Sequence, residues 1–381
     1  MHRRLRGDST VNRFRKGVLK QILDEAQRLS AYDVGETIEG LASKLGKDPS
    51  EILKLNSNEN FFVPLTFLKS ILREAVEDVD PRIYPRDEIW ELKKGLSEYV
   101  NVHPDQIVIG TGSDQLIDIV CRMLLRRGDE AIAISPTFSI YERVTKIQGA
   151  TYNPIPLKED FSLDVKAMLD AVTSRTKLMF LCSPNNPTAN RFRHEDIKFL
   201  AENFDGLVAV DEAYIDFSGG SVISLIERLE NLVVFRTFSK IFGLAGLRIG
   251  CVIANSELAR IIDEKYQMPY SVSLIAVKAA LKILDQIEVI QDAVSRIKRE
   301  RERLINRLNR IYGIHAFNSE TNFVLFQVNE DSNIVYKRLL EKGVILRDIG
   351  RVLNYENCLR VTVAPSEKMD RFLTCLQEVL G

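Results

Sequence analysis

No apolar stretch of the 381-residue chain runs uncharged long enough to cross a bilayer, which argues against a helical membrane span. Charge of one sign is lacking too: 52 Lys and Arg stand against 53 Asp and Glu. The net charge of -1 provides no global basic field, so nucleic acid is not expected as a partner. Cysteines are few and scattered (Cys121, Cys182, Cys251, Cys358 and Cys375), with no C-x-x-C arrangement, and read as reduced packing residues of a cytoplasmic chain. His2, His103, His194 and His315 form no H-E-x-x-H or Cys/His cluster, so no metal is expected.

The 45% hydrophobic and 28% charged fractions are those of an ordinary globular protein, and the length predicts one large domain and one smaller one. Arginines 3, 4, 6, 13 and 15 form a basic N-terminal arm, followed by an amphipathic helix pattern from Val18 to Leu29. From Ile107 onward short apolar runs alternate with helix-period segments, the pattern of an α/β fold with a parallel sheet covered by helices. The runs starting at Ile107, Glu130, Leu178, Leu207, Leu232 and Ile249 are the expected strands, with helices such as 114–126 and 194–203 between them. After Ser273 a charged helix and the runs 322–328 and 358–363 predict a smaller α+β domain. The alternating signs of residues 296–302 predict a solvated face. The expected division is therefore 1–57 (arm and first part of the small domain), 58–272 (large domain) and 273–381 (small domain).

Ligands of open α/β sheets bind beyond the carboxyl ends of the strands. There the sequence places Asn185-Asn186-Pro187-Thr188, Asp211-Glu212-Ala213-Tyr214 and Thr237-Phe238-Ser239-Lys240. Singly these are a turn, a helix cap and a solvated lysine. Together they supply the imine-forming amine and the acid partner that pyridoxal phosphate (PLP) chemistry requires. Gly110-Thr111-Gly112-Ser113-Asp114-Gln115, between a strand and a helix, offers backbone N–H groups to a phosphate. It lacks the third glycine of a dinucleotide fingerprint, and Asp114 would repel a pyrophosphate unless its side chain turns away. Arg248, eight residues after Lys240, can supply a cationic fork.

With these motifs, and with Asn58-Glu59-Asn60, Tyr84-Pro85, Pro136-Thr137-Phe138, Gly243-Leu244-Ala245-Gly246-Leu247-Arg248 and Leu359-Arg360-Val361-Thr362, nearly the whole chain resembles the class I/II aminotransferases of fold type I. It is most similar to the histidinol-phosphate aminotransferases among them. The resemblance implies a mostly parallel seven-stranded central sheet, PLP as cofactor, and a homodimer with shared active sites. It makes Lys240 the Schiff-base lysine, Asp211 the partner of the pyridinium nitrogen, and Asn186 and Tyr214 the donors to the phenolic oxygen. Phe138 would stack on the ring; Ser113, Asp114 through its backbone, Thr237, Ser239 and Arg248 would bind the phosphate, joined by Tyr84 of the neighbouring subunit. Arg360, Arg347, Tyr32 and Asn60 are the implied substrate residues, for a phosphorylated amino alcohol with glutamate and 2-oxoglutarate as the second pair. Arg347 also reads as a surface arginine paired with Asp348. Val34, Phe61, Arg86 and Ala189 depart from the family pattern, and three of these segments are expected near the substrate entrance. An aromatic or broad-range aminotransferase and a threonine-phosphate decarboxylase share the cofactor residues. A PLP-fold regulator would need a DNA-binding domain, for which the arm is too short.

Overall fold

The computed structural model describes residues 17–27, 29, 31, 32 and 34–381, in two units, Met1–Val34 and Gly35–Gly381. In the first unit the amphipathic pattern forms a helix over Val18–Ala26 with no buried residue. The arm's arginines at 3, 4, 6, 13 and 15 lie outside the described residues. No helix among the described residues is long and apolar enough to cross a membrane.

The second unit begins with the helix Ile38–Leu45, started by the Thr37 hydroxyl and ended by Gly46 in the left-handed region. Its strands are β1 (Leu53–Lys54), β2 (Ile107–Gly110), β3 (Glu130–Ser135), β4 (Thr151–Pro156), β5 (Thr176–Cys182), β6 (Leu207–Asp211), β7 (Leu232–Thr237), β8 (Gly250–Ile253), β9 (Ile314–Ala316), β10 (Phe323–Val328), β11 (Val344–Ile345), β12 (Arg347–Val352) and β13 (Tyr355–Thr362). Seven of them form the central sheet, in the order β2-β8-β7-β6-β5-β3-β4. Only β8 runs against the others, pairing antiparallel with both β2 and β7. β12, β13, β10 and β9 make an antiparallel sheet, and β1 pairs in parallel with β11.

The inner strands are apolar runs because both faces of the sheet are covered. Met179, Leu181, Val208, Val210 and Val234 belong to the core on one face. Leu178, Phe180, Ala209, Val233 and Phe235 point to the other, where they meet Ile117 and Val120 of the helix Gly112–Leu124 and Tyr141 of the helix Ile140–Ile147. This parity decides which side chains beyond the strand ends face the site.

Two features differ from expectation. β4 carries Pro154 and Pro156, which mask its strand character in the sequence; it is an edge strand, where proline is tolerated. The charge run at 296–302 is not wholly solvated, for Glu300 and Arg301 are only 6% and 8% exposed. The helix Ile287–Leu308 lies against β9, β10 and the C-terminal helix, so these charges find fixed partners. Arg301 Nη1 donates to Thr321 O at 2.8 Å, and Glu300 accepts from Arg303 and from Ser366 Oγ at 2.7 Å.

Candidate active site

Sheet register gathers the predicted residues on one edge. Asp211, the last residue of β6, lies between Cys182 of β5 and Phe235 of β7. Across the sheet, Gly250 of β8 pairs with both Gly110 and Thr237. The segments leaving these strands carry Ser113, Asn186 and Lys240.

The Asp211 carboxyl is 3% exposed. Its Oδ2 accepts from Tyr141 OH at 2.7 Å and its Oδ1 from Ala213 N at 3.0 Å. No basic side chain pairs with it among the described residues, and burial pushes its pKa up to about 6. A buried carboxylate without a cation is matched by a ligand N–H that carries positive charge. Lys240 Nζ donates to Ser57 O at 2.8 Å. Burial, helped by the Arg360 charge, brings its amine down to about 8. Such an amine has a sizeable neutral fraction near neutral pH, as carbonyl attack and proton abstraction both need.

The helix Gly112–Leu124 has no side-chain cap at its N-terminus. Thr111, in the capping position, uses its hydroxyl on Ser271 O and its amide on Gln115 Oε1. The first-turn N–H groups are thus left to an anion. Glycine makes this approach possible: a Cβ on Gly250 would come within 2.5 Å of Ser113 N, and one on Gly112 within 2.7 Å of Arg248 Nη2. Ser239 Oγ accepts from Arg248 Nη1 at 3.3 Å, and Thr237 Oγ1 accepts from Ser239 N at 3.2 Å. The Asp114 carboxylate pairs with Arg248 Nη2 at 3.1 Å, which offsets its charge beside the loop. Amine, acid and phosphate cradle together fit PLP.

Arg360 and Arg347 are Cα partners on the adjacent strands β13 and β12, so their side chains share a face that Asp348 does not. Arg360 Nη2 donates to Asn56 O at 2.6 Å, and Arg360 Nη1 to Asn186 Oδ1. A Cβ on Gly35 would lie 3.0 Å from Asn56 Nδ2 and 3.8 Å from Arg347 Nη1, so Gly35 sits close to both side chains. Asp348 instead accepts from Ser332 Oγ at 2.8 Å.

Tyr214 OH accepts from Asn58 Nδ2 at 2.9 Å, and burial raises its pKa. Phe138 stands edge-on to Tyr141, with ring centres 5.7 Å apart. Asn60, expected at the substrate, uses both ends of its amide on the chain: Nδ2 donates to Ile241 O at 2.7 Å and Oδ1 accepts from Phe62 N at 3.0 Å. That holds the loop beside Lys240 and leaves its amide engaged. Tyr32 belongs to the first unit and is 48% exposed. Tyr84 is 71% exposed and stacks on Tyr270 with centroids 4.5 Å apart.

Sequence reasoning did not single out Tyr141, the partner of Asp211, or the side chain of Asn58, the partner of Tyr214. Tyr141 sits on a helix next to Phe138, and its role arises only when that helix packs on β5, where its ring stacks on Phe180.

The family model for aminotransferase class I and II matches residues 50–376. The histidinol-phosphate aminotransferase of Thermoanaerobacter pseudethanolicus is 37% identical over 329 residues, covering 86% of this chain and 93% of its own. That of Methanosarcina mazei is 36% identical over 366 residues, covering 95% of this chain and 96% of its own. The crystal structure of histidinol-phosphate aminotransferase from Sinorhizobium meliloti, in complex with pyridoxal-5'-phosphate, superposes with a TM-score of 0.83 at 25% identity over 93% of this chain and 96% of that one.

Proposed function

The chain belongs to the class I and II aminotransferases, and from that premise we propose that it converts imidazole acetol phosphate and glutamate into histidinol phosphate and 2-oxoglutarate. It is a PLP-dependent transferase of fold type I. The substrate assignment rests on the pairing of Arg347 with Arg360 across β12 and β13. Two arginines on one face of neighbouring strands suit a phosphate monoester. The names of the relatives agree with it.

Bound in this site, PLP supplies the carbon that accepts the amino group and a ring that takes up the electron pair left at the substrate Cα. Lys240 would hold the cofactor through Nζ, and its amine would serve as the base that moves the proton of the substrate Cα. Asp211 keeps a proton on the ring nitrogen. Tyr214, oriented by Asn58, and Asn186 donate to the ring oxygen, and Phe138 covers the ring. Ser113, the Asp114 amide, Thr237, Ser239 and Arg248 hold the cofactor phosphate. Arg360 and Arg347 grip the substrate phosphate, and Arg360 takes the carboxylate of glutamate in the return half. Tyr32 is proposed to close over the substrate.

The test is a single-turnover absorbance titration of the PLP-loaded protein with histidinol phosphate, phenylalanine and threonine phosphate. Fastest formation of pyridoxamine phosphate with histidinol phosphate is expected. Faster turnover of phenylalanine would reassign the substrate, and carbon dioxide release from threonine phosphate without pyridoxamine phosphate would indicate the decarboxylase. Arg347→Ala is expected to raise KM for histidinol phosphate about 10- to 100-fold, the worth of one charge-assisted hydrogen bond, and that for glutamate far less. Equal rises for both would remove Arg347 from the phosphate.

The division at 57/58 and 272/273 belongs to the same proposal. The seven-stranded sheet falls within 58–272, the four-stranded sheet within 273–381, and β1 joins the latter region through β11. A homodimer is proposed as well, Tyr84 of one chain reaching the phosphate bound by its partner. Ile83, Tyr84, Met268 and Tyr270, each more than half exposed, supply the apolar surface for it. Sedimentation should give twice the chain mass of 43.4 kDa; a monomer would refute the shared site. A cytoplasmic location accords with five cysteines that form no disulfide.

A further inference from the structure

Behind Asp211 lies a network of buried charges that none of these steps uses. Arg236 Nε binds Glu212 Oε2 at 2.9 Å, and its Nη1 lies 3.3 Å from both oxygens of Asp216. Tyr99 OH donates to Asp216 Oδ1 at 2.8 Å. Glu212 also accepts from Ser221 Oγ and Val222 N, each at 2.7 Å. The side chains of Glu212 and Arg236 are only 1% and 13% exposed.

Strand parity puts Glu212 and Arg236 on the face opposite Asp211 and Thr237. Arg236, Asp216, Tyr99, Asn101, Ser221 and Ser224 line a pocket of about 450 Å³ that includes no residue assigned above to cofactor or substrate. The network therefore acts on the reaction only through its neighbours in the chain. Glu212 directly follows Asp211, and Arg236 directly precedes Thr237. Glu212 N donates to Phe235 O at 3.0 Å, completing the tie between the ends of β6 and β7. Buried ion pairs are poor sources of stability compared with apolar packing, so a stabilising role alone does not explain three charges here.

We propose that Glu212 and Arg236 are positioning residues for Asp211: their ion pair fixes the end of β6 against β7 and sets the net charge behind the carboxylate that faces the cofactor nitrogen. The inference rests on the role given to Asp211 above. The groups whose charge or hydrogen bonds act on Arg236 are Glu212, Asp216, Tyr99 and Cys251; those acting on Asp211 are Tyr141, Cys182, Tyr214, Asp114 and, from the opposite face, Glu212. Glu212 adds negative charge beside Asp211, and Arg236 offsets it.

The test is a pH titration of the bound cofactor's absorbance in the holoenzyme, whose deprotonation removes a positive charge. Glu212→Gln should lower the midpoint and Arg236→Gln should raise it, each by about one pH unit for a charge acting through a partly buried path. Arg236→Lys, which keeps the charge, should stay near the parent value, and KM should change less than kcat in both Gln variants. Shifts of the same sign, or unmoved midpoints with only a lower melting temperature, would overturn the proposal. If Arg236→Gln does not fold, Glu212→Gln decides by its sign. Asp211→Asn runs alongside: a midpoint it leaves unmoved overturns the role of Asp211 itself, whereas a shift there with silent network variants overturns only this inference.

Discussion

Lys240→Ala is expected to lower the rate of amino transfer by at least about a thousandfold, near the upper range for loss of a positioned general base, with the chain still folded and still binding PLP. Retained binding follows from the phosphate cradle, which draws on the helix Gly112–Leu124, Ser239 and Arg248, all independent of the lysine amine. Stability should not suffer, because the native structure holds this amine in a buried place that depresses its pKa to about 8. A folded variant that binds PLP yet transaminates at the parent rate would remove Lys240 from proton transfer. Partial recovery with a small added primary amine would tie the loss to the missing base.

Asp211→Asn should lower kcat by about two to three orders of magnitude and leave KM within a few-fold. A carboxylate about 4 Å from the ring nitrogen stabilises the protonated ring by roughly 4 kcal/mol at an effective dielectric of 20, or about three pKa units. An amide of the same shape supplies none of that charge. The same residue makes a second, independent prediction for the cofactor-free chain. Burial raises the Asp211 carboxyl to about 6 in the folded state, above the value of about 4 it takes when unfolded. Between those two values the folded chain binds more protons than the unfolded one, so stability is lost as pH rises from about 4 to about 6. The loss is of the order of 3 kcal/mol at about two pKa units, and it stays constant above that window. Urea midpoints of the cofactor-free parent should fall across the window relative to those of Asp211→Asn. Parallel profiles would mean that the carboxyl is ionised without cost.

Much of the fold is legible in the sequence because the central strands are buried on both faces and so are written as uninterrupted apolar runs, as in Leu232 to Phe235. β4 is not, since its two prolines are acceptable only at an edge, and edge position is a property of the assembled sheet. Lys240, Asp211 and Ser113 are legible because they lie at or just beyond strand ends, where the chain itself brings them to one edge. Tyr141 and Asn58 are not, because they act on residues 70 and 156 positions away. Glu300 and Arg301 show the same limit: charge pattern alone does not reveal which face of a helix another element will cover.

The chain joins its far ends at the site. Thr362 Oγ1 donates to Leu55 O at 2.8 Å and accepts from Asn58 N at 2.9 Å, across more than 300 residues, and Arg360 on the same strand grips Asn56 O. During synthesis the Leu55–Asn58 segment is made more than 300 residues ahead of β13 and waits for it before these contacts form. Tyr214 therefore lacks an anchored Asn58, and Lys240 a fixed Ser57 carbonyl, until β13 has been made and has paired. A nascent chain released before β13 would carry the lysine without the contacts that complete its site.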